Sequence, residues 1–213
     1  MIFNTIRTWI SGIFLIFVMA PGSMLWGTIP FDNQNNIASK HYHNLALHSD
    51  GTVIAWGLDD DGQSTVPAGL SDVVAIAAGF YHNLILHSDG TVTAWGLDDD
   101  DQATVPGGLS DVVAIAAGFQ HSLALHSDGT VTAWGENSYG QLDLPDGLSA
   151  VVAISVGKHH NLALKSDGTV TAWGSVSTSG GGTYSESTVP DDLSNVVEIY
   201  AGHHHSMVLH SDG

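Results

Sequence analysis

HNLALHSDGTVIAWG, residues His43–Gly57, returns as HNLILHSDGTVTAWG from His82, HSLALHSDGTVTAWG from His121 and HNLALKSDGTVTAWG from His160. A fifth copy, HSMVLHSDG, starts at His205. Trp56, Trp95, Trp134 and Trp173 follow one another at a spacing of 39 residues, and the fourth unit is six residues longer. A fixed period of this length marks a solenoid, propeller or array built from one supersecondary unit. Within each copy the apolar period is two. Leu45 and Leu47 alternate with Asn44, Ala46 and His48. Asp50-Gly51 predicts a two-residue hairpin turn. That turn sets His48 opposite Val53, Leu47 opposite Ile54 and Leu45 opposite Trp56. His43, Leu45, Leu47 and Trp56 then share a bulky face, and Ala46, Val53 and Ala55 a small one. Large faces stacking on small ones would join unit to unit.

A second apolar run precedes each hairpin: Val73–Gly79, Val112–Gly118, Val151–Gly157 and Val196–Gly202. It is short, β-branched and apolar on both faces, and predicts a strand buried on two sides at the inner edge of a blade. Turns of the type Pro67–Ser71 and Pro106–Ser110 separate the units. The expected fold is all-β, a β-propeller of three- to four-stranded antiparallel blades. The units span about 34–72, 73–111, 112–150 and 151–195, with a partial fifth at 196–213. The first starts poorly, with Gln34-Asn35-Asn36 where the second has Val73-Val74-Ala75.

The pattern G-x-x-H-[NS]-L-x-L-x-[ST]-D-G-x-V-x-x-W-G resembles the regulator of chromosome condensation repeat. Gly135-Glu136-Asn137-Ser138-Tyr139-Gly140-Gln141-Leu142 extends the resemblance, which covers residues 37–213. The short period is similar to that of bacterial members, including secreted β-lactamase-inhibitory propellers. The resemblance implies a seven-bladed ring, of which this chain carries four to five blades. A separate reading has Ser23-Met24-Leu25-Trp26-Gly27 supply the Trp-Gly strand that the fifth copy lacks, closing a five-bladed ring.

Residues 1–22 read as a signal peptide. Arg7 is followed by the apolar run Ile10–Ala20, and Ala20 and Gly22 fit the positions before a cleavage at Ser23. The apolar run is short of the about 20 residues a span requires. The expectation is a secreted or periplasmic chain with no membrane span after cleavage, the alternative being an N-terminal anchor. Residues 23–36 form a linker or degenerate strand.

The 213 residues include 22 acidic and 4 basic side chains, for a formal charge of −18, and no cysteine. Disulfides, thiolate metal sites and cysteine nucleophiles are excluded. A chain this poor in Lys and Arg does not neutralise nucleic-acid phosphates. His43, His82, His121, His160 and His205 hold one repeat position. Because they recur in every unit, the sequence assigns them to the scaffold, with a ring nitrogen bonding a nearby backbone carbonyl. Lys165 replaces His48, His87, His126 and His210 in the fourth copy, so that position is expected to face solvent. Asp59, Asp60, Asp61 and Asp98, Asp99, Asp100, Asp101 form acidic runs. Clustered carboxylates suit calcium, but the spacing is not that of a calcium loop, and a solvated loop that discourages edge pairing is the favoured reading. No cofactor and no catalytic constellation is expected.

Scaffold positions repeat, and contact positions vary between copies. The two residues before the repeated histidine vary: His41-Tyr42, Phe80-Tyr81, Phe119-Gln120, Lys158-His159 and His203-His204. They, with Tyr184 in the insertion Ser175–Ser187, are the candidate partner-binding residues. The functional expectation is an exported, non-enzymatic scaffold for a protein or cell-surface partner. A secreted enzyme inhibitor is the alternative. A guanine-nucleotide exchange role, which the resemblance also implies, fits poorly with a leader and an acidic surface.

Overall fold

A computed structural model describes residues 36–175 and 186–213. The proposed leader, the Ser23–Gly27 segment and Tyr184 lie outside the described residues. Among the described residues fourteen strands are arranged as consecutive antiparallel sheets, each in chain order. Blade 1 consists of β1 (Asn36–Lys40), β2 (His43–Leu47) and β3 (Val53–Gly57). Blade 2 consists of β4 (Val73–Ala78), β5 (His82–His87) and β6 (Val92–Gly96). Blade 3 has β7 (Val112–Ala117), β8 (His121–His126) and β9 (Val131–Gly135). Blade 4 has β10 (Val151–Val156), β11 (His160–Lys165) and β12 (Val170–Gly174). Blade 5 has β13 (Val196–Ala201) and β14 (Ser206–His210). The first strands of successive blades lie against one another, which makes them the inner strands around an axis. The third strands form the outer edge. The assembly is an open, incomplete propeller.

The hairpin register departs from the sequence expectation by one residue. Leu47 pairs with Val53, Leu45 with Ala55, Asn44 with Trp56 and His43 with Gly57. The loop is three residues long, not two. His48 N–H bonds the Thr52 carbonyl at 2.9 Å, Gly51 N–H bonds the His48 carbonyl at 3.0 Å, and Gly51 has φ 84°. This is a tight turn followed by a left-handed glycine, which Asp-Gly serves as well as it serves a two-residue turn. A slip of one residue moves a side chain to the other face of the sheet. The tryptophan therefore shares a face with Asn44 and Ala46, and Val53 and Ala55 join the leucines.

This arrangement explains the packing. At the first junction Leu45, Leu47 and Val53 of blade 1 meet Ile76, Ile85 and Trp95 of blade 2. The same set recurs as Leu84 and Leu86 against Ile115 and Trp134, then Leu123 and Leu125 against Ile154 and Trp173. At these three junctions the leucine face is covered by the tryptophan face of the following blade. The outermost faces have no such cover: Trp56 is 46% exposed, and Met207 and Leu209 of blade 5 are also exposed. The poor start of unit 1 still forms β1, because Ile37, Ala38 and Ser39 pair with Ala46, Leu45 and Asn44.

Backbone hydrogen bonds stitch the blades as well. Val112, Val151 and Val196 each donate to the turn glycine of the preceding blade, Gly90, Gly129 and Gly168, at 3.0–3.2 Å.

Trp134 is 6% exposed. Trp134→Ala is expected to lower the unfolding free energy by about 3–5 kcal/mol. Trp56→Ala, the same change on an open face, is expected to cost less than about 1 kcal/mol. Denaturant titration of the two variants checks the difference.

Candidate functional site

The repeated histidines face the junctions. His43 Nε2 lies 2.7 Å from Asn83 Oδ1, His82 Nε2 2.9 Å from Ser122 Oγ, His121 Nε2 2.9 Å from Asn161 Oδ1 and His160 Nε2 3.1 Å from Ser206 Oγ. The partner is thus a side chain of the next blade, not the backbone carbonyl that the sequence suggested. The same Asn or Ser then donates to one carbonyl: Asn83 to Gln63, Ser122 to Gln102 and Asn161 to Gln141, at 2.7–3.0 Å. The tryptophan indoles of blades 2, 3 and 4 donate to those same three carbonyls at 3.0–3.2 Å. Histidine, Asn or Ser, glutamine carbonyl and tryptophan form one latch per junction. A glycine three residues before His82, His121, His160 and His205 makes room for each ring. A Cβ on Gly79 would strike the His82 ring and come within 2.9 Å of the Gly118 carbonyl.

Burial holds these rings neutral. His82 and His121 are lowered to about 3, and His160 to about 4, each chiefly by loss of solvation. At the other repeated histidine position His48 faces solvent, as the sequence suggested, while the later copies lean partly inward. His87 and His126 are half-buried, bonded through Nδ1 to the Ser71 and Ser110 carbonyls and through Nε2 to Thr93 and Thr132.

The Asp runs do not form a cation cage among the described residues, where no group of three or more His, Asp or Glu is placed to hold a metal ion. Asp59 accepts from Ser64 N–H and Thr65 Oγ1 at 2.7 Å, and Asp98 accepts from Ala103 N–H and Thr104 Oγ1 in the same way. These carboxylates brace their own loops. Asp60, Asp61, Asp99 and Asp101 are exposed or half-buried on the same loops. Asp100 accepts from the Gln120 amide at 2.6 Å, which places its loop beside the blade tips.

At those tips the variable pairs come together. Phe80 sits at the centre, with its ring 4.7 Å from His41, 4.9 Å from Phe119 and 5.3 Å from His203. Tyr81 packs on Phe119 at 5.5 Å, Phe119 on His159 at 5.5 Å, and His159 stacks on Tyr139 at 4.1 Å. His203 meets His204 at 4.1 Å, and His204 lies 3.1 Å from Glu186. Lys158 Nζ lies over the Phe119 ring at 5.1 Å. Tyr42, His203 and His204 are exposed, while Tyr81, Phe119, Gln120, Lys158 and His159 are half-buried. Phe80 is buried beneath them and supports the surface instead of presenting it. Burial, with the neighbouring Lys158 charge, lowers His159 to about 4, so its ring is neutral near pH 7.

Lys40 was not legible as part of this site. It stands where the other copies have Gly79, Gly118, Gly157 and Gly202. Its side chain crosses the axis and donates to the Ala117 and Val156 carbonyls, each at 2.8 Å, while lying 5.9 Å from the Phe80 ring. Burial pushes its pKa down to about 8. One lysine from blade 1 thus ties the inner strands of blades 3 and 4. The signal in the sequence was the one non-glycine residue at a glycine position. Tyr139 was also missed; it belongs to a loop and enters the cluster only by stacking.

The model of the regulator of chromosome condensation (RCC1) repeat matches residues 35–63, 73–102, 112–141 and 151–180. The chain belongs to the RCC1 repeat family. Solved structures with the same fold include Prp20p of Saccharomyces cerevisiae, at 20% identity and a TM-score of 0.65 over 86% of this chain and 59% of that one. Human WBSCR16 is 20% identical with a TM-score of 0.67, covering 87% of this chain and 61% of that one. The CRINKLY WD40 ectodomain of the Arabidopsis thaliana receptor kinase ACR4 is 21% identical with a TM-score of 0.62, covering 82% of this chain and 58% of that one. This RCC1-repeat chain therefore spans about three-fifths of the length of those structures. No curated protein matches it by sequence.

The buried histidines of the RCC1 blades give a pH dependence of definite sign. Unfolded, each takes a proton near pH 6.5; folded, His82 and His121 do so only near 3. The unfolded chain binds more protons in that window, so stability is full above about 6.5 and falls as the pH drops towards 3. The expected slope is on the order of 1 kcal/mol per pH unit for each fully buried ring. Urea midpoints at pH 7 and pH 5 test it, and His121→Gln is expected to flatten the slope.

Proposed function

We propose that this protein is an exported, non-enzymatic propeller scaffold that binds a protein or cell-surface partner through the aromatic and histidine-rich tips of its blades. One observation carries the reading: residues from five separate repeats, varied in sequence, meet in a single continuous patch. Large rings at the centre of a surface, with polar residues around them, are the usual anatomy of a protein interface. Here the centre is Tyr81, Phe119 and His159, with Tyr42 and His203 standing higher. The Asp59–Asp61 and Asp98–Asp101 loops fringe the patch with negative charge. A partner with an apolar centre and a basic margin complements that distribution.

Prp20p is described with binding properties to Gsp1p and histones. For this chain that supports protein binding as the kind of activity, and the low identity carries nothing about the partner. A secreted enzyme inhibitor is a special case of the same reading, since the same patch would cover a hydrolase cleft.

The test uses crosslinking of the exported protein on its native cell surface. Wild type is expected to capture a partner that the Tyr42→Ala/Tyr81→Ala/His203→Ala variant loses. Ile54→Ser on the open face of blade 1 is expected to leave capture intact. Equal capture by all three overturns the assignment of the patch. N-terminal sequencing of the exported chain is expected to begin at Ser23, and an N-terminus at Met1 would overturn export by cleavage.

A further inference from the structure

The blade tips are divided by charge. Each tip lies beside the loop that leaves the outer strand of the preceding blade: Gln120 donates to Asp100, His159 stacks on Tyr139, and His204 pairs with Glu186. The loop carrying Asp59–Asp61 lies on blade 2, whose Trp95 bonds the Gln63 carbonyl, and the loop carrying Asp98–Asp101 lies on blade 3. The tips of blades 4, 5 and 1 carry the opposite sign. The chain has 4 Lys and Arg against 22 Asp and Glu, yet Lys40 and Lys158 both stand here, with His41, His203 and His204. Both lysines replace residues that are uncharged in blades 2 and 3. Lys40 holds the position of Gly79 and Gly118, and Lys158 that of Phe80 and Phe119.

These groups converge on His203, which is exposed. Its ring lies 4.1 Å from His204 and 5.3 Å from Phe80, and the Phe80 ring lies 4.7 Å from His41 and 5.9 Å from Lys40 Nζ. The Lys158 N–H bonds the His203 carbonyl at 3.3 Å, which holds those two tips together. The titratable groups acting on His203 are His204, Lys158, His41 and Lys40, each a cation or able to become one. The nearest carboxylates are engaged elsewhere. Glu186 meets His204 and Ser175, and Glu136 accepts from Ser138 N–H and the Gln141 amide. Among the described residues no carboxylate pairs with Lys40, Lys158 or His203. Loss of solvation, and then these like charges, push the His203 imidazole below its usual range. An exposed group of cations with no counter-charge, on a chain of net charge −18, is a place for an anion.

We propose that this side of the patch receives an acidic side chain of a protein partner, and that the His203 imidazole takes up a proton as that carboxylate docks. The proposal rests on the blade-tip reading and adds a second margin to it. The Asp loops meet the partner's basic margin, Tyr81 and Phe119 meet its apolar centre, and His203 with Lys158 meets an acid on the opposite side. The linkage has one sign. A carboxylate against His203 favours the charged ring, so the complex holds more protons than the separate molecules. Affinity therefore rises as the pH falls through the histidine range, by at most about tenfold per pH unit for one proton.

The probe is a capped pentapeptide with four glutamates around a tyrosine, compared with its four-glutamine analogue. Isothermal titration of the full chain at low ionic strength, at pH 7.5 and pH 6.0, reads the affinity, and repeating it in a buffer of different ionisation enthalpy reads the protons taken up. The glutamate peptide is expected to bind at least about threefold more tightly at pH 6.0, with net proton uptake. His203→Gln is expected to lose that pH dependence. His48→Gln, an exposed histidine at the opposite end of blade 1, is expected to keep it. No binding of the glutamate peptide at pH 6.0, equal affinity at the two pH values, equal binding of the glutamine analogue, or an unchanged pH dependence in His203→Gln each overturns the proposal. The crosslinking experiment fails separately. Capture lost by the blade-tip variant together with a peptide that does not bind overturns the acidic contact alone, whereas capture retained by that variant overturns the patch.

Discussion

A carbonyl shared between two blades holds this architecture together. The carbonyl of Gln63, in the loop leaving blade 1, accepts from the Trp95 indole and the Asn83 amide of blade 2, and Asn83 also bonds His43 of blade 1. The buried His43, His82 and His121 rings and the Trp95, Trp134 and Trp173 indoles all find their partners across a blade junction. A single blade cannot satisfy them. It is also too thin to bury its own leucines. Polar and apolar demands therefore point the same way, and the blades are stable as a stack rather than as separate hairpins.

The latch also explains the residue choices around it. Glycine stands beside the histidine because the ring occupies the space of a Cβ. Asn or Ser follows the histidine because the position must both accept from an imidazole and donate to a carbonyl. The histidines are thus consumed by the scaffold, which leaves the tips of the inner hairpins as the place where side chains vary. Lys40 shows what that freedom permits. With no glycine at the head of blade 1, a long side chain reaches across the axis and makes two charge-assisted hydrogen bonds.

The reading of the sequence went wrong at one definite point. Asp50-Gly51 fits a two-residue turn and a three-residue turn equally, and alternation in the strands is the same for both. Only the partner of Trp56 distinguishes them, and that partner is set by which face the following blade covers. Choosing the shorter turn placed the indole with the leucines. The structure puts it opposite them, where it meets the leucines of the preceding blade. The histidine partners were misjudged for the same reason: Asn83 is 40 residues from His43, and no local pattern connects them.

By itself the sequence determined the repeat, its antiparallel β character and the positions that vary. These follow from periodicity and turn chemistry, which act over a few residues. The tertiary structure decided the face of each tryptophan, the partner of each histidine, the path of Lys40 and the meeting of Phe80, Phe119, His159 and His203 in one patch. Those depend on the angle at which rigid sheets stack, and that angle is set by side-chain volumes summed across a junction, a quantity no single repeat contains.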